Sequence, residues 1–168
     1  MEQNGFKILW IIGLIIIVII RLPHWRLGRS NRVVVDRNPV RERILLALEA
    51  VGAGALPLVY IFTPWLSFAD YQLPAWVGWA GAASLVASLW LLWRAHADLG
   101  QNWSRSLQLR QGHQLITSGI YRYIRHPMYA SGWLLGIAQA LLMWNWIVGA
   151  SGLAAFAMLY FQRVKREE

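Results

Sequence analysis

The chain has 168 residues, of which 57% are hydrophobic and eleven are tryptophan, with a formal net charge of +8 and no cysteine. Its mean hydropathy of +0.39 is far above that of an ordinary soluble domain, so the composition indicates an integral membrane protein. The lack of cysteine excludes disulfides, thiolate metal sites and a cysteine nucleophile. The arginines cluster beside apolar segments and no nucleic-acid-binding motif accompanies them, so we expect no nucleic-acid partner and interpret the charge as a topology signal.

The first apolar stretch covers about residues 6–22, at the short end of what crosses a hydrocarbon core of about 30 Å. It lacks a basic start and a small-residue cleavage motif, so we expect it to be retained as a membrane span. Residues 21–43 then carry seven arginines against one aspartate and one glutamate. The positive-inside rule predicts that this connection is cytoplasmic.

A second span is predicted over about residues 44–69, bent or broken near Pro57 and Pro64. A third is predicted over about residues 75–93, where glycines, alanines and serines allow neighbouring helices to come close. Residues 94–126 are polar again, with five arginines against a single aspartate, so we expect this connection to be cytoplasmic as well.

The apolar stretch from Met128 to Phe161 has 34 residues, too many for one untilted helix at 1.5 Å per residue. Two spans joined by a tight turn near Asn145 fit better. The prediction is an all-α, multi-pass membrane bundle of about five transmembrane helices. Its N-terminus lies outside, and its basic connections and C-terminus lie in the cytoplasm.

One segment just before the fourth span is unusually polar. Residues 119–129 contain two arginines, a histidine and three tyrosines, groups that are costly to desolvate without partners. Pro127 disfavours helical torsions at His126 and is itself well placed as the first residue of a helix. The backbone N–H groups of that helix start, beside Arg125 and His126, predict a cradle for an anionic group. Arginines at such a position can also be plain interfacial anchors.

The residues from Leu99 to Glu168 resemble a superfamily of membrane methyltransferases. It contains the isoprenylcysteine carboxyl methyltransferases and the phospholipid N-methyltransferases. The resemblance rests on an ordered set of short motifs: Leu99-Gly100, Trp103-Ser104, residues 115–121, residues 125–129 with Gly132, and Arg166-Glu167-Glu168 after a helical hairpin. It implies a single membrane domain, in which residues 1–93 supply three N-terminal spans and residues 94–168 form the cofactor-binding methyltransferase core.

The resemblance implies S-adenosylmethionine as the cofactor, with polar contacts from His126, Tyr129, Glu167 and Glu168. The other cofactor-binding candidates lie in the same motifs: Gly119, Tyr121, Pro127 and Gly132. A helix start flanked by Arg125 and His126 suits the cofactor carboxylate, and the acidic pair suits its ammonium or ribose hydroxyls. Gly132 and Gly136 share one helix face, where they either bring a neighbouring helix close or leave room for the cofactor.

The expected reaction is direct displacement by a lipid-borne nucleophile. For a carboxylate acceptor, Arg122 or Arg125 could hold one oxygen while the other attacks, and no general base is needed. An amine acceptor would require a base such as Glu49, Glu167 or His126. Glu49 lies inside the second span and is either functional or paired with Arg41 or Arg43.

The function expected from the resemblance is methylation of a lipophilic acceptor, with carboxyl O-methylation of an isoprenylcysteine-like molecule favoured. If the source is bacterial, the location is the inner membrane and another apolar acid, amine or thiol is the acceptor. The alternatives are a phospholipid amine methyltransferase or a non-catalytic membrane subunit that binds anionic lipid or a partner. His24, His96 and His113 show no metal-site spacing, so we expect solvated loop histidines and no metal. The sequence assigns no oligomeric state.

Overall fold

The structure, a computed structural model, describes the backbone of residues 2–28, 33–36, 39–100, 108–110 and 117–167. It describes the surroundings of side chains for residues 3–23, 40–100 and 117–164. Within these ranges the chain forms a bundle of long helices with one short two-stranded sheet. The predicted all-α membrane bundle is confirmed, with the small sheet as an addition.

Five helical crossings make up the bundle. The first is α1 (Glu2–Gly28), and the second joins α2 (Pro39–Ala50), a π-helical turn (Val51–Ala55) and α3 (Leu56–Phe62). The other three are α4 (Ala75–Leu99), α5 (Pro127–Met143) and α6 (Trp146–Glu167). Four segments are long and apolar enough to cross a membrane: Gln3–Pro23, Val40–Phe62, Ala75–Leu99 and Trp146–Val164. Helix α5 has 17 residues, or about 25 Å at 1.5 Å per residue, and provides a shorter fifth crossing.

A π-helical turn interrupts the second crossing near Pro57, where a bend or break was predicted, but the predicted end of this crossing at residue 69 is wrong. Pro57 has no N–H to donate, and the π-helical turn just before it carries the helix past the lost bond. The helix ends at Phe62 because Pro64 pushes the preceding residue, Thr63, into an extended conformation with φ −135° and ψ 155°. A short 3₁₀ turn at Ser67–Ala69 follows outside the helix.

The predicted tight turn near Asn145 is confirmed. Trp144 adopts a left-handed conformation with φ 48°, and its Nε1–H donates to the carbonyl of Leu141 at 3.0 Å. Asn145 then starts α6, because its Oδ1 accepts the N–H of Val148 at 3.1 Å. Its Nδ2 donates to Asp70 Oδ1 at 2.7 Å, so this turn is tied to the loop between α3 and α4.

The two arginine-rich connections meet at one end of the bundle. Strand β1 (Val33–Asp36) lies in the first connection and pairs antiparallel with β2 (Gln108–Arg110) in the second. The register joins Val35 to Leu109 and Asp36 to Gln108, with an irregularity between Val33 and Val35. We call this the basic end, defined as the end that holds β1, β2 and the beginnings of α2 and α5. The pairing brings both connections to the same end of the bundle.

Helix α4 packs closely on α5 along small and hydroxyl side chains. Ser88 Oγ donates to the carbonyl of Ser131 at 2.8 Å, and Ser131 Oγ donates to the carbonyl of Ser88 at 3.0 Å. Nearer the opposite end, a Cβ at Gly81 would lie 2.9 Å from Cβ of Leu141. The close helix contact predicted for the third span is therefore real, and it fixes α5 against α4 along most of its length.

Candidate functional site

Helix α5 begins at Pro127, the position predicted from the sequence. His126 has φ −128° and ψ 67°, outside the helical region, as a residue before proline prefers. Its carbonyl accepts the N–H groups of Tyr129 and Ala130, each at 3.1 Å. Pro127 is buried and loses no hydrogen bond at the first helical position. The start of α5 is thus a defined helix terminus and not a frayed end.

A 3₁₀ turn at Gly119–Arg122 precedes this terminus. The carbonyl of Ile120 accepts the N–H groups of Tyr123 and Ile124 at 3.1 and 3.0 Å. Arg122 and Arg125 are both exposed, and the guanidinium of Arg122 lies 5.9 Å from the ring centroid of Tyr123. Arg122 therefore ends an ordered turn and Arg125 lies between this turn and α5, both with exposed side chains.

Aromatic rings connect the start of α5 to the end of α6. The ring of His126 stacks on that of Tyr129, with centroids 5.5 Å apart. Tyr129 meets Tyr160 edge to face at 5.4 Å. Tyr160 precedes Glu167 by seven residues, or about 10 Å of helix. The start of α5 therefore lies against the part of α6 that comes about two turns before Glu167.

Helix α2 closes the side of this site. Leu45 is buried in one cluster with Tyr129, Phe156 and Leu159. One turn earlier, Glu42 pairs with Arg163 of α6, and both side chains are largely shielded from solvent. The sequence did not lead us to expect that Glu42 and Arg163 pair. The available signal was an acid in the first turn of a helix that follows an arginine-rich stretch.

Two of the predicted glycines are packed against other residues. A Cβ at Gly132 would overlap the ring of Phe156, and a Cβ at Gly136 would lie 2.8 Å from Leu153 Cδ2. Of the two roles considered for this pair, close approach of α6 is the one that the packing supports. Gly119 has φ +62°, and a Cβ there would overlap the carboxylate of Asp98. This glycine is required by its backbone conformation and by its neighbour.

Tyr121 and Asp98 join the 3₁₀ turn to the last turns of α4. Asp98 Oδ2 accepts the N–H of Ile120 at 2.7 Å, and the hydroxyl of Tyr121 lies 3.5 Å from the carbonyl of Ala95. Burial raises the pKa of the Tyr121 phenol, and the negative charge of Asp98 raises it further. The phenol is therefore neutral at physiological pH and able to donate a hydrogen bond.

The predicted ion pair of Glu49 with Arg41 or Arg43 is not found among the described side chains. Arg41 instead donates from Nε to Gln162 Oε1 at 2.6 Å, and Arg43 is exposed. Glu49 is half-buried on α2, one turn deeper than Leu45. No described contact joins Glu49 to the arginines of the 3₁₀ turn, so the structure does not bring this candidate base to the other site residues.

The prediction that His96 is a solvated loop histidine is wrong. His96 lies in α4 with no exposed surface, and its Nδ1 lies 2.9 Å from the carbonyl of Leu92. The helix runs six residues beyond the predicted span, to Leu99, which places this residue in the core. The side chains of His24 and His113 lie outside the described residues. Among the residues that the structure describes, no cluster of three metal-ligating side chains occurs.

The residues gathered at the basic end fit the groups of S-adenosylmethionine. Exposed guanidinium groups and a helix N-terminus suit a carboxylate. The rings of Tyr129 and Tyr160 suit a sulfonium through cation–π attraction. The end of α6 carries the acidic pair: the backbone reaches Glu167, whose side chain lies outside the described range, as does all of Glu168.

Comparison with known proteins finds relatives of the C-terminal part of this chain. The model of the isoprenylcysteine carboxyl methyltransferase family matches residues 80–168, from within α4 to the last residue. A protein-S-isoprenylcysteine O-methyltransferase of Dictyostelium discoideum is 30% identical over 93 residues, which cover 54% of this chain and 39% of that protein. The chain thus spans well under half the length of this relative. The match covers the 3₁₀ turn, α5 and α6.

Proposed function

Because the chain belongs to the isoprenylcysteine carboxyl methyltransferase family, we propose that it transfers a methyl group from S-adenosylmethionine to a lipophilic acceptor in the membrane. The favoured acceptor is the carboxylate of an isoprenylcysteine-like molecule, in keeping with the name of the Dictyostelium discoideum relative. One observation carries the proposal. Tyr129 at the start of α5 and Tyr160, seven residues before Glu167 on α6, are in ring contact at 5.4 Å, which supports a cofactor site between these two helices.

The residues of this location have distinct roles in the proposal. His126 and the positive dipole end of α5 face the cofactor carboxylate, and Tyr129 flanks the sulfonium. Glu167 and Glu168 hold the ammonium or the ribose hydroxyls. The cofactor, when bound, supplies an electrophilic methyl group. The polar contacts to the cofactor come from His126, Tyr129, Glu167 and Glu168. The remaining candidates shape the site through backbone conformation and packing: Gly119, Tyr121, Pro127 and Gly132.

Arg122 and Arg125 are proposed to bind the acceptor carboxylate. A planar guanidinium can hold one carboxylate oxygen and leave the other directed at the methyl group. Opposite charges cancel during such a transfer, so a site shielded from water favours it, and alignment lowers the entropic part of the barrier. No proton has to be removed from a carboxylate.

The acceptor would reach the site sideways from the bilayer. The outer faces of the helices are apolar and exposed. Phe161 of α6, for example, is 59% exposed, and its ring centroid lies 6.5 Å from that of Trp133. An acyl or prenyl chain can lie against such a surface without losing contact with lipid. Its polar head would then meet Arg122 and Arg125 at the basic end.

The basic end is proposed to be cytoplasmic, because arginine-rich connections stay on that side of the membrane. The chain has no cysteine, so single cysteines report sidedness cleanly. We expect an impermeant maleimide added to intact cells to label Ser67→Cys, on the loop opposite the basic end, and to spare Ser118→Cys. The reverse pattern would overturn the orientation.

Equilibrium binding of labelled S-adenosylmethionine to the protein in detergent tests the cofactor assignment. We expect micromolar affinity that His126→Ala abolishes. Trp65→Ala, an exposed aromatic at the opposite end, serves as the control and should bind as the wild type does. Absence of wild-type binding at millimolar cofactor would reject the enzyme in favour of a non-catalytic membrane subunit.

The acceptor class is tested by transfer of a labelled methyl group into a total lipid extract. A methyl ester releases labelled methanol in alkali, whereas an N-methylated lipid keeps its label. For a carboxylate acceptor we expect turnover that is flat above about pH 6, and a steep rise towards about pH 9 would indicate an amine. An alkali-stable product would overturn the carboxyl assignment but leave the methyltransferase assignment intact.

A further inference from the structure

Asp98 occupies an unfavourable position in its own helix. It lies in the last turn of α4, where the helix dipole disfavours negative charge. It is also the single acidic residue in the arginine-rich stretch from residue 94 to 126. Its side chain is only 14% exposed. A carboxylate held there against the dipole is expected to have a partner outside its helix.

That partner is the backbone of the 3₁₀ turn. Asp98 Oδ2 accepts the N–H of Ile120 at 2.7 Å. The first N–H groups of a helical turn lack partners within it and are normally bound by the residue at the cap. Ser118 holds the cap position here but makes no side-chain cap hydrogen bond. Asp98 thus replaces the local cap from a separate helix, 22 residues away in the chain.

The neighbouring residues leave the carboxylate little freedom. Arg94 donates to Asp98 Oδ1 at 2.9 Å from one turn earlier in α4. Gly119 packs directly against the same carboxylate, where any side chain would displace it. Asp98 is therefore held by its own helix on one side and by the turn on the other.

The segment that carries the two candidate arginines is attached to α4 on both sides. The serine contacts between Ser88 and Ser131 hold the body of α5, and Asp98 holds the turn. The residues between those points include Arg122, Arg125 and His126. Fixing both ends of a short segment reduces the conformations that it can adopt. The placement of its polar groups then depends on the contact between Asp98 and Ile120.

We infer that Asp98 is a positioning residue, whose carboxylate sets the 3₁₀ turn and thereby the place of Arg122, Arg125 and His126 relative to α5. The inference rests on the proposed function for its effect on cofactor and acceptor. The capping of the 3₁₀ turn by Asp98 of α4 does not depend on that function.

Three variants separate the contributions. Asp98→Ala removes the acceptor of the Ile120 N–H, and we expect it to raise the Kd for S-adenosylmethionine and the KM for the acceptor at least tenfold. Asp98→Asn keeps an acceptor oxygen in nearly the same place, and we expect it to restore most of the affinity. Arg94→Gln removes only the partly exposed ion pair, and we expect a change of less than threefold.

Asp70→Ala is the matched control, since Asp70 also accepts a side-chain hydrogen bond but lies at the opposite end. We expect its thermal midpoint to fall by an amount similar to that of Asp98→Ala while its cofactor Kd stays at the wild-type value. If both variants lost cofactor affinity in proportion to the fall in their thermal midpoints, Asp98 would be only a general stabilising residue. That result would overturn the inference.

Limited digestion with trypsin tests the turn without any ligand. Cleavage after Arg122 and Arg125 requires local opening of the segment. We expect it to be several-fold faster in Asp98→Ala than in the wild type and near the wild-type rate in Asp98→Asn. Unchanged cleavage in Asp98→Ala would overturn the positioning role. Faster cleavage in a protein that never binds the cofactor would instead uphold that role and reject the proposed function.

Discussion

Glu42 of α2 and Arg163 of α6 form an ion pair at the basic end, with side chains only 7% and 15% exposed. The pair joins two helices whose sequence positions are separated by 121 residues. Just beside it, Arg41 and Gln162 make a second contact that is exposed. The first contact is a buried ion pair, whereas the second is an exposed hydrogen bond from a guanidinium to a neutral amide.

We expect Glu42→Ala to lower the free energy of unfolding by about 3 kcal/mol, because it leaves the Arg163 guanidinium buried without its carboxylate. Arg41→Ala should cost less than about 0.5 kcal/mol, since exposed contacts contribute little. Thermal unfolding in detergent micelles compares the two. The charge-reversed double variant Glu42→Arg with Arg163→Glu should recover part of the loss. Equal costs for Glu42→Ala and Arg41→Ala would contradict the larger contribution assigned to the buried ion pair.

Gly119→Ala should abolish cofactor binding while leaving the helical bundle folded. A side chain at φ +62° is strained, and its Cβ would displace the Asp98 carboxylate. Gly54→Ala is a suitable control, because nothing lies within 4 Å of its Cβ position. Labelled-cofactor binding and far-UV circular dichroism make the measurement. Wild-type affinity in Gly119→Ala would show that the turn tolerates another conformation.

Gln139 forms a polar contact in the middle of the bundle. It has no exposed surface, and its Nε2 donates to the carbonyls of Gly52 and Val148 at 2.9 and 2.6 Å. Gly52 lies in the π-helical turn before Pro57, where the proline has no N–H to offer. Ser151 Oγ also donates to the Gly52 carbonyl, at 2.9 Å.

We expect Gln139→Leu to destabilise the fold by about 1–2 kcal/mol, because it removes one of two donors to the Gly52 carbonyl. Ser151→Ala alone should cost less. The double variant should cost more than the sum of the two, since only then is that carbonyl left without a side-chain donor. A double-mutant cycle on unfolding in mixed micelles tests this coupling, and strict additivity would contradict it.

The raised pKa of Tyr121 predicts a loss of stability at high pH. The folded protein keeps the phenol proton where the unfolded chain has lost it, above about pH 10. Stability is therefore fully present below about pH 10 and falls as the pH rises beyond it. Between about pH 9 and 11 we expect the thermal midpoint of Tyr121→Phe to fall less than that of the wild type. Tyr123→Phe, at a residue that is 78% exposed, should follow the wild type, and three parallel curves would contradict the prediction.

Many features of the fold were accessible from local patterns. The apolar runs located five crossings, and the excess of arginine placed two connections at one end. The helix start at Pro127 and the turn at Asn145 also follow from residue type, because proline and asparagine restrict the backbone by local sterics and hydrogen bonding. The errors came where a local signal was ambiguous. Apolar residues after Phe62 extended the second span too far, and the polar residues after Trp93 ended the third too early, which misplaced His96.

The candidate site also has a part that the sequence predicted and a part that it did not. The motif from Gly119 to Tyr129 and the likeness of residues 99–168 to a known family were readable in the chain itself. Which distant residues support that motif was not. Asp98 caps the 3₁₀ turn, Glu42 holds the end of α6, and Phe156 fills the space beside Gly132.

The amino-acid sequence alone thus established a helical membrane bundle, and it predicted the polar end and the segment that we propose to carry the chemistry. Those properties depend on the residue types within short windows, through hydrophobicity, charge and backbone restriction. The partners of Asp98, Glu42 and Gly132 came only from the folded bundle, because each pairing joins residues on different helices. Helix periodicity sets which face a residue occupies, but the packing of whole helices selects what that face meets.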